Sequence, residues 1–198
     1  LVGTIKGATE TGILEASDDT QIINGDELEA LIKEGVRRED GHSDDPRYWH
    51  QVDVLCEIRR IEPRASVYTY IMGEQPGEIV FITSWSACMS DNPYGAEFKL
   101  SWVTENPAPN EAGLRAITLQ EEAPNFCTYG DPGCEPIPYT DDYGTWVSAF
   151  APIRNSKGEA VAALGVDFEA SYVKQVQQGI LESVYVAFGL TYAVLFLL

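Results

Sequence analysis

Residues 145–153, TWVSAFAPI, and 159–168, EAVAALGVDF, decide the fold. The segment between them, Arg154, Asn155, Ser156, Lys157 and Gly158, is a run of turn formers. Two β-rich runs joined by a short loop ending in glycine read as a β-hairpin. Side chains of a strand point alternately to its two faces, so Trp146, Ser148 and Phe150 share one face and Val147, Ala149 and Ala151 the other. A second hairpin lies upstream, where 66–72 (SVYTYIM) and 78–85 (EIVFITSW) flank Gly73, Glu74, Gln75, Pro76 and Gly77. On its first strand Tyr68 and Tyr70 face opposite to Val67, Thr69 and Ile71. One sheet face is therefore aliphatic and the other aromatic with hydroxyls. The aliphatic face suits packing against helices. The aromatic face suits either a small-molecule pocket or an aromatic core packed on the rest of the chain.

Outward from the hairpins the spacing changes to three and four. Asn24 or Asp26 caps a helix through Arg38, with Leu28, Leu31 and Ile32 on one side. After the polar loop REDGHSDD, Asp45 and Pro46 open a helix carrying Tyr48 or Trp49, Val52, Leu55, Cys56 and Ile58 or Arg59, which Pro63 ends. Residues 1–17 read as a further helix with Ile5, Ala8, Gly12 and Leu14 on one side, although each glycine in it costs roughly 1 kcal/mol. Between the hairpins, residues 86–144 are rich in Pro, Gly, Asn and Asp, with a short helix or strand around 114–120. So long an irregular stretch in a compact domain usually carries function. Residues 169–183, EASYVKQVQQGILES, read as a helix. The class is α+β, built on an antiparallel sheet.

That last helix runs into 183–198, SVYVAFGLTYAVLFLL, sixteen residues without a charge. A complete membrane span needs ~20 apolar residues, so the segment reads as the start of a transmembrane helix, with residues 1–182 as the domain it anchors. The alternative is a buried C-terminal helix, which would show an apolar stripe rather than an apolar surface all round. The opening LVGTIK does not read as a secretory signal, and further residues are expected upstream.

Composition excludes several functions. The chain has 31 acidic against 13 basic residues and a net charge of -18, which argues against nucleic acid as a partner. At 44% hydrophobic and 11% aromatic it has ample material for a packed core. Nucleotide-binding, nucleophile-elbow and zinc-protease motifs do not occur. The acidic pairs Asp18-Asp19, Asp44-Asp45, Glu121-Glu122 and Asp141-Asp142 read as solvated surface. Cys127 and Cys134 bracket TYGDPG, whose turn residues let the chain double back, and a disulfide between them is expected. That bridge would place the domain in an oxidising compartment. Cys56 and Cys88 form either a second bridge or two buried thiols. No metal or cofactor is expected, since cysteine pairs and histidines at ligand spacing do not occur.

The run from Asp142 to Ile153, DYGTWVSAFAPI, followed by GEAVAALGVD from Gly158 to Asp167, resembles the Cache domains, the PAS-like extracytoplasmic sensors of bacterial transmembrane receptors. Gly144, Ser148, Ala151, Pro152, Ile153, Gly158, Gly165 and Asp167 match the last hairpin of that family. The resemblance implies a central antiparallel sheet with the long N-terminal helix on one face and a ligand pocket under the insertion on the other. It also implies a cytoplasmic output module, a histidine kinase or a nucleotide or diguanylate cyclase among others; since signalling across a membrane needs a connected element with two states, a homodimer through the N-terminal helix is expected. An Asp at the position of Asp167 can meet a ligand's amino group in the family. The Arg and aromatics of its amino-acid-binding branch are replaced here by DNPYGAEF at 91–98, which argues against α-amino acids.

Asp167 lies within VAALGVDF, where an unpaired buried carboxylate would cost several kcal/mol. It therefore needs a partner, a ligand or a local hydrogen bond. Tyr68, Tyr70, Trp85, Trp146, Ser148 and Asp167 are expected to line or border one cavity, with Arg59, Arg60, Arg64, Arg115 and Arg154 as candidates to meet a carboxylate ligand. Two other readings stand beside the sensor: an anchored extracytoplasmic hydrolase using two converging carboxylates, and an interaction ectodomain without a ligand.

Overall fold

A computed structural model of the chain describes residues 23–89, 97–103, 107–118, 123–124, 138–141 and 143–197. In order they form α1 (Gly25–Glu34), α2 (Pro46–Ile61), β1 (Ala65–Met72), β2 (Glu78–Ser84), a 3-10 turn (Trp85–Cys88), β3 (Leu100–Val103), α3 (Pro107–Thr118), β4 (Ala123–Pro124), β5 (Tyr139–Asp141), β6 (Gly144–Arg154), β7 (Ala160–Glu169) and α4 (Ala170–Leu197). The class is α+β. Six strands lie in the order β3-β2-β1-β7-β6-β4, and the short β5 also pairs with β6. Every pairing is antiparallel. The two hairpins read from the sequence thus meet along β1 and β7, which puts β7 at the centre of the sheet. Gly158 carries the turn of the second hairpin at φ 81, a conformation that side chains with a Cβ rarely adopt.

The aliphatic face is covered by α1 and α2. Leu28 and Leu31 of α1 and Tyr48, Val52 and Leu55 of α2 pack with Val67, Ile82, Ile153, Ala162, Leu164 and Phe168 of the sheet in one buried cluster. Local chemistry sets the helix limits. The Asn24 side chain accepts from the backbone N–H groups of Asp26 and Glu27, and Asp45 does the same for Arg47 with Pro46 in the first turn. Helix α1 stops at Glu34 instead of reaching Arg38, because Gly35 leaves helical geometry at ψ 140.

The aromatic face carries a second cluster, Tyr68, Tyr70, Ile79, Phe81, Phe150 and Ala163, with Leu114, Ala116 and Ile117 of α3 packed on it. The segment expected to hold a short element at 114–120 therefore supplies a twelve-residue helix. Cys56 on α2 and Cys88 on the 3-10 turn are joined by a disulfide, with Cα atoms 6.5 Å apart, inside the range that a bridge spans. The expected helix over 1–17, the dimer contact placed on it, and the Cys127 and Cys134 bridge lie outside the described residues.

Helix α4 continues β7 without a loop. Its first turn is docked, with Tyr172 and Val173 packed on the aliphatic core. From Gln177 onward it is exposed, and its residues Ala170–Phe196 make it long and apolar enough to cross a membrane.

Candidate functional site

The site is built across the three central strands. The sheet register places Ser66 of β1 and Ser148 of β6 on either side of Asp167 of β7, and Tyr68 opposite Gly165. Gly165 is where the tyrosine ring lies: a Cβ there would stand 2.5 Å from ring carbons of Tyr68. That close approach lets the Tyr68 hydroxyl reach along β7 and donate to Asp167 Oδ1 at 3.2 Å. The Ser148 hydroxyl donates to the same oxygen at 2.5 Å. With its proton committed there, Ser148 accepts from Tyr139 of β5 at 2.9 Å. Both hydrogen bonds of the carboxyl fall on Oδ1, and among the described residues Oδ2 has no hydrogen-bond partner.

Asp167 is 8% exposed. Burial pushes its carboxyl up to about 7, against the pull of the Ser148 and Tyr68 hydroxyls toward the ionised form. The same burial, with the Asp167 charge nearby, holds the Tyr68, Tyr70 and Tyr139 phenols well above their ordinary range, so they serve as neutral donors.

Above Asp167 lies a cavity of about 70 Å³. β1 gives it Ser66 and Tyr68, β2 gives Phe81 and Ser84, and β3 gives Trp102. Its remaining wall is Trp85 of the 3-10 turn, Tyr139 and Asp141 of β5, then Tyr143 and Trp146. Four of the six residues expected there, Tyr68, Trp85, Trp146 and Asp167, border this cavity. Ser148 stands behind the carboxyl as its donor instead of facing the space. Tyr70 turns toward α3, where its hydroxyl donates to the Gly113 carbonyl at 2.6 Å. It borders a separate void of about 10 Å³, room for no more than one water.

Two walls depend on local devices. Trp85 does not extend β2: the Ser84 side chain accepts from the Ser86 N–H and caps the 3-10 turn that starts at Trp85. The turn is pinned to α2 by the disulfide, and the Arg59 guanidinium stacks 3.4 Å from the centre of the Trp85 ring. Asp141 is no solvated surface acid. Its Oδ1 accepts from the N–H groups of Tyr143 and Gly144 and from the Trp146 indole at 3.0 Å, fixing the turn into β6 and the pose of that ring. Its sequence neighbour Asp142 lies outside the described residues.

None of Arg59, Arg60, Arg64, Arg115 and Arg154 borders the cavity. Arg59 also donates to the Ala65 carbonyl, Arg60 pairs with Glu57, Arg64 pairs with Glu62 at 2.9 Å, and Arg154 donates to the Gly158 carbonyl. Among the described residues no cluster of His, Cys, Asp and Glu could hold a metal ion. No protein-family model matches the chain, and a search of curated proteins finds no match.

Proposed function

We propose that residues 1–182 are an extracytoplasmic, Cache-like sensor domain of a transmembrane signalling receptor, of histidine kinase or nucleotide or diguanylate cyclase type. A small molecule in the aromatic cavity signals through α4 to the cytoplasmic side, in a homodimer formed along residues 1–17. The observation that carries this reading is the continuity of site and helix. Asp167 forms the cavity floor, and only Phe168 and Glu169 separate it from Ala170, where α4 begins. The exposed apolar length of α4 supports the membrane anchor, and the Cys56–Cys88 bridge supports an oxidising side for the domain.

The hydrolase reading gains one point, since two carboxylates, Asp141 and Asp167, border the same cavity. The bonding weighs against it: Asp141 Oδ1 is occupied by three N–H donors, as in a structural turn cap. The open cavity likewise weighs against an ectodomain without a ligand.

The test is a panel of amines, carboxylates and sugars offered to the full chain in maltoside micelles, with a spin label at Gln178 on α4. A ligand at a hundredfold excess over its Kd stabilises the domain by about 2.7 kcal/mol, and the label's mobility should change with it. A panel that shifts neither the melting temperature nor the label refutes the sensory reading.

A further inference from the structure

We infer that the cavity takes a neutral, polyhydroxylated ligand of monosaccharide size, with its hydroxyls on Ser84, Asp141 and Asp167 and its C–H face on the tryptophan rings. The inference rests on the preceding reading only in treating the cavity as a ligand site.

Hydrogen bonding carries the first argument. Ser84 borders the cavity and is 3% exposed. Its Oγ accepts from the Ser86 N–H at 3.2 Å and from the Ser86 hydroxyl at 2.9 Å, which occupies both lone pairs. The Ser84 proton is left without an acceptor among the described residues, so the molecule that fills the space has to bring one. Asp167 and Asp141 need the opposite. Each uses Oδ1 alone, Asp167 for two hydroxyl donors and Asp141 for three N–H donors, and the Oδ2 of each has no partner among the described residues. The Ser66 hydroxyl is likewise unengaged there, and the Tyr139 oxygen keeps lone pairs after donating to Ser148. Tyr143 adds a further phenol to the wall. A hydroxyl group both donates and accepts, and a ligand carrying several of them answers this mixed set.

Charge narrows the class. The charged residues among those bordering the cavity are Asp141 and Asp167, with no Lys, Arg or His. An anionic ligand would meet two carboxylates and no partner, an arrangement that burial makes costly. An ammonium group is a donor without a lone pair, so by itself it would satisfy the carboxylates and leave the buried Ser84 proton unmet. A neutral polyol satisfies both.

The walls and the volume carry the third argument. Three of the chain's four tryptophans, Trp85, Trp102 and Trp146, border this one space together with Phe81. Ring faces are the negative part of the aromatic quadrupole. The C–H face of a sugar ring is weakly positive and has no hydrogen bonds to lose, so it rests on such faces while the hydroxyls at its edge reach the polar groups. The cavity of about 70 Å³ holds roughly five waters at ~10–15 Å³ each, and the hydroxyls of a polyol take over the bonds of such waters. Ser66, Trp102, Asp141, Tyr143 and Trp146 are only partly buried, so the space opens outward and the rest of a sugar ring stays in water.

The experiment titrates the full chain, in polyoxyethylene-ether micelles whose headgroups carry no sugar, with D-glucose, D-galactose, D-mannose, D-xylose and D-ribose, and with succinate and methylammonium beside them. Binding is read by calorimetry and by the fluorescence of the tryptophans that border the cavity. At least one sugar should bind with a Kd below ~1 mM and more tightly than succinate or methylammonium. Among the monodeoxy analogues of that sugar, at least one should bind ~10-fold or more weakly, since a site built to bond a hydroxyl rejects the molecule lacking it. Ser66→Ala removes a hydroxyl that no described neighbour uses, and should weaken the sugar several-fold at an unchanged melting temperature. Asp167→Asn exchanges the Oδ2 acceptor for a donor and should weaken it ~10-fold. No binding by any of these sugars at millimolar concentration overturns the inference, as does a sugar whose affinity neither substitution changes. Tighter binding of succinate or methylammonium overturns it as well, yet leaves ligand sensing standing. A sugar that binds as expected without changing the spin label on α4 upholds the polyol site and removes the sensory reading instead.

Discussion

Replacing Asp167 by Asn should make the protein more stable at neutral and alkaline pH, and the size of the gain follows from the site. The carboxyl is raised from 3.8 to about 7 by burial. A raised carboxyl means that the folded state retains a proton between about pH 4 and 7 that the unfolded state has already released. Stability then falls as pH rises through that window and levels off above the folded value. A shift of roughly three units at about 1.4 kcal/mol each makes the ionised, ligand-free carboxylate cost the fold about 4 kcal/mol above pH 7. Asn keeps an oxygen for the Tyr68 and Ser148 hydroxyls and points its amide toward the cavity, without a charge to desolvate.

The assay is urea unfolding of both proteins in maltoside micelles from pH 5 to 8, followed by tryptophan fluorescence. All four tryptophans lie ahead of α4, so the signal reports the folded domain. Every other titrating group is common to the two proteins and cancels in the difference. Asp45 and Glu78, whose carboxyls are lowered chiefly by hydrogen bonds from Arg47 and Ser101, lose their contribution only as pH falls below their window. About 1.5 kcal/mol of the cost is already present at pH 5, so between pH 5 and pH 8 the variant should gain roughly 3 kcal/mol on the wild type. A difference that does not change with pH, or a wild-type protein that gains stability from pH 5 to 8 relative to the variant, would refute the assignment of a buried, costly carboxylate.

Two further substitutions test the frame around the site. Gly165→Ala places a methyl group 2.5 Å from the Tyr68 ring and should cost about 1–3 kcal/mol as the ring is displaced from Asp167. A thermal midpoint unchanged from wild type would show that Tyr68 does not rest on Gly165. Cys56→Ser with Cys88→Ser opens a loop of 32 residues and should cost about 4 kcal/mol by the chain-entropy estimate, read by urea unfolding without reductant. Peptide mapping of the nonreduced protein that finds free thiols at both positions would contradict the bridge, and the same map decides whether Cys127 and Cys134 are joined.

The hairpin sequences revealed the sheet because each face of β6 and β7 meets a different neighbour. Alternation is a strong signal when helices take one side and a cavity the other. Asp167 stood out for the same reason: a carboxyl inside VAALGVDF has to be paired. The features that periodicity does not reveal depend on turns instead. Trp85 follows seven strand residues and reads as the eighth, but the Ser84 side chain bends the backbone into a 3-10 turn there. Asp141 carried a legible signal, an Asp two and three residues ahead of Tyr143 and Gly144, the spacing of a side chain that bonds its own turn. Its acidic neighbour hid it within an apparently solvated pair. Tyr139 and Trp102 sit on strands of three and four residues, too short for any period to register. Only the fold brings them to the cavity.

The position of β7 also limits how a bound ligand could act on α4. β7 is hydrogen-bonded along its length to β1 on one side and β6 on the other. A slip by one residue would send Asp167 to the aliphatic face and Phe168 to the cavity, and would break both ladders at once. Motion along the strand axis is therefore confined to a fraction of a residue. The freer coordinate is angular and begins where the ladders end. Beyond Glu169 the helix is held by its first turn, where Tyr172 packs near Phe168, ring centres 6.3 Å apart, and under the Arg64 guanidinium at 4.2 Å. Arg64 belongs to the segment that leads into β1, two residues ahead of Ser66 at the cavity wall. A ligand that draws the Asp167 carboxyl toward the cavity would change the spacing of β1 and β7 at their shared end. The clasp on Tyr172 lies at that same end. A small tilt there is magnified along a helix of 28 residues, roughly 40 Å at 1.5 Å per residue, so a rotation of a few degrees displaces its far end by ångströms.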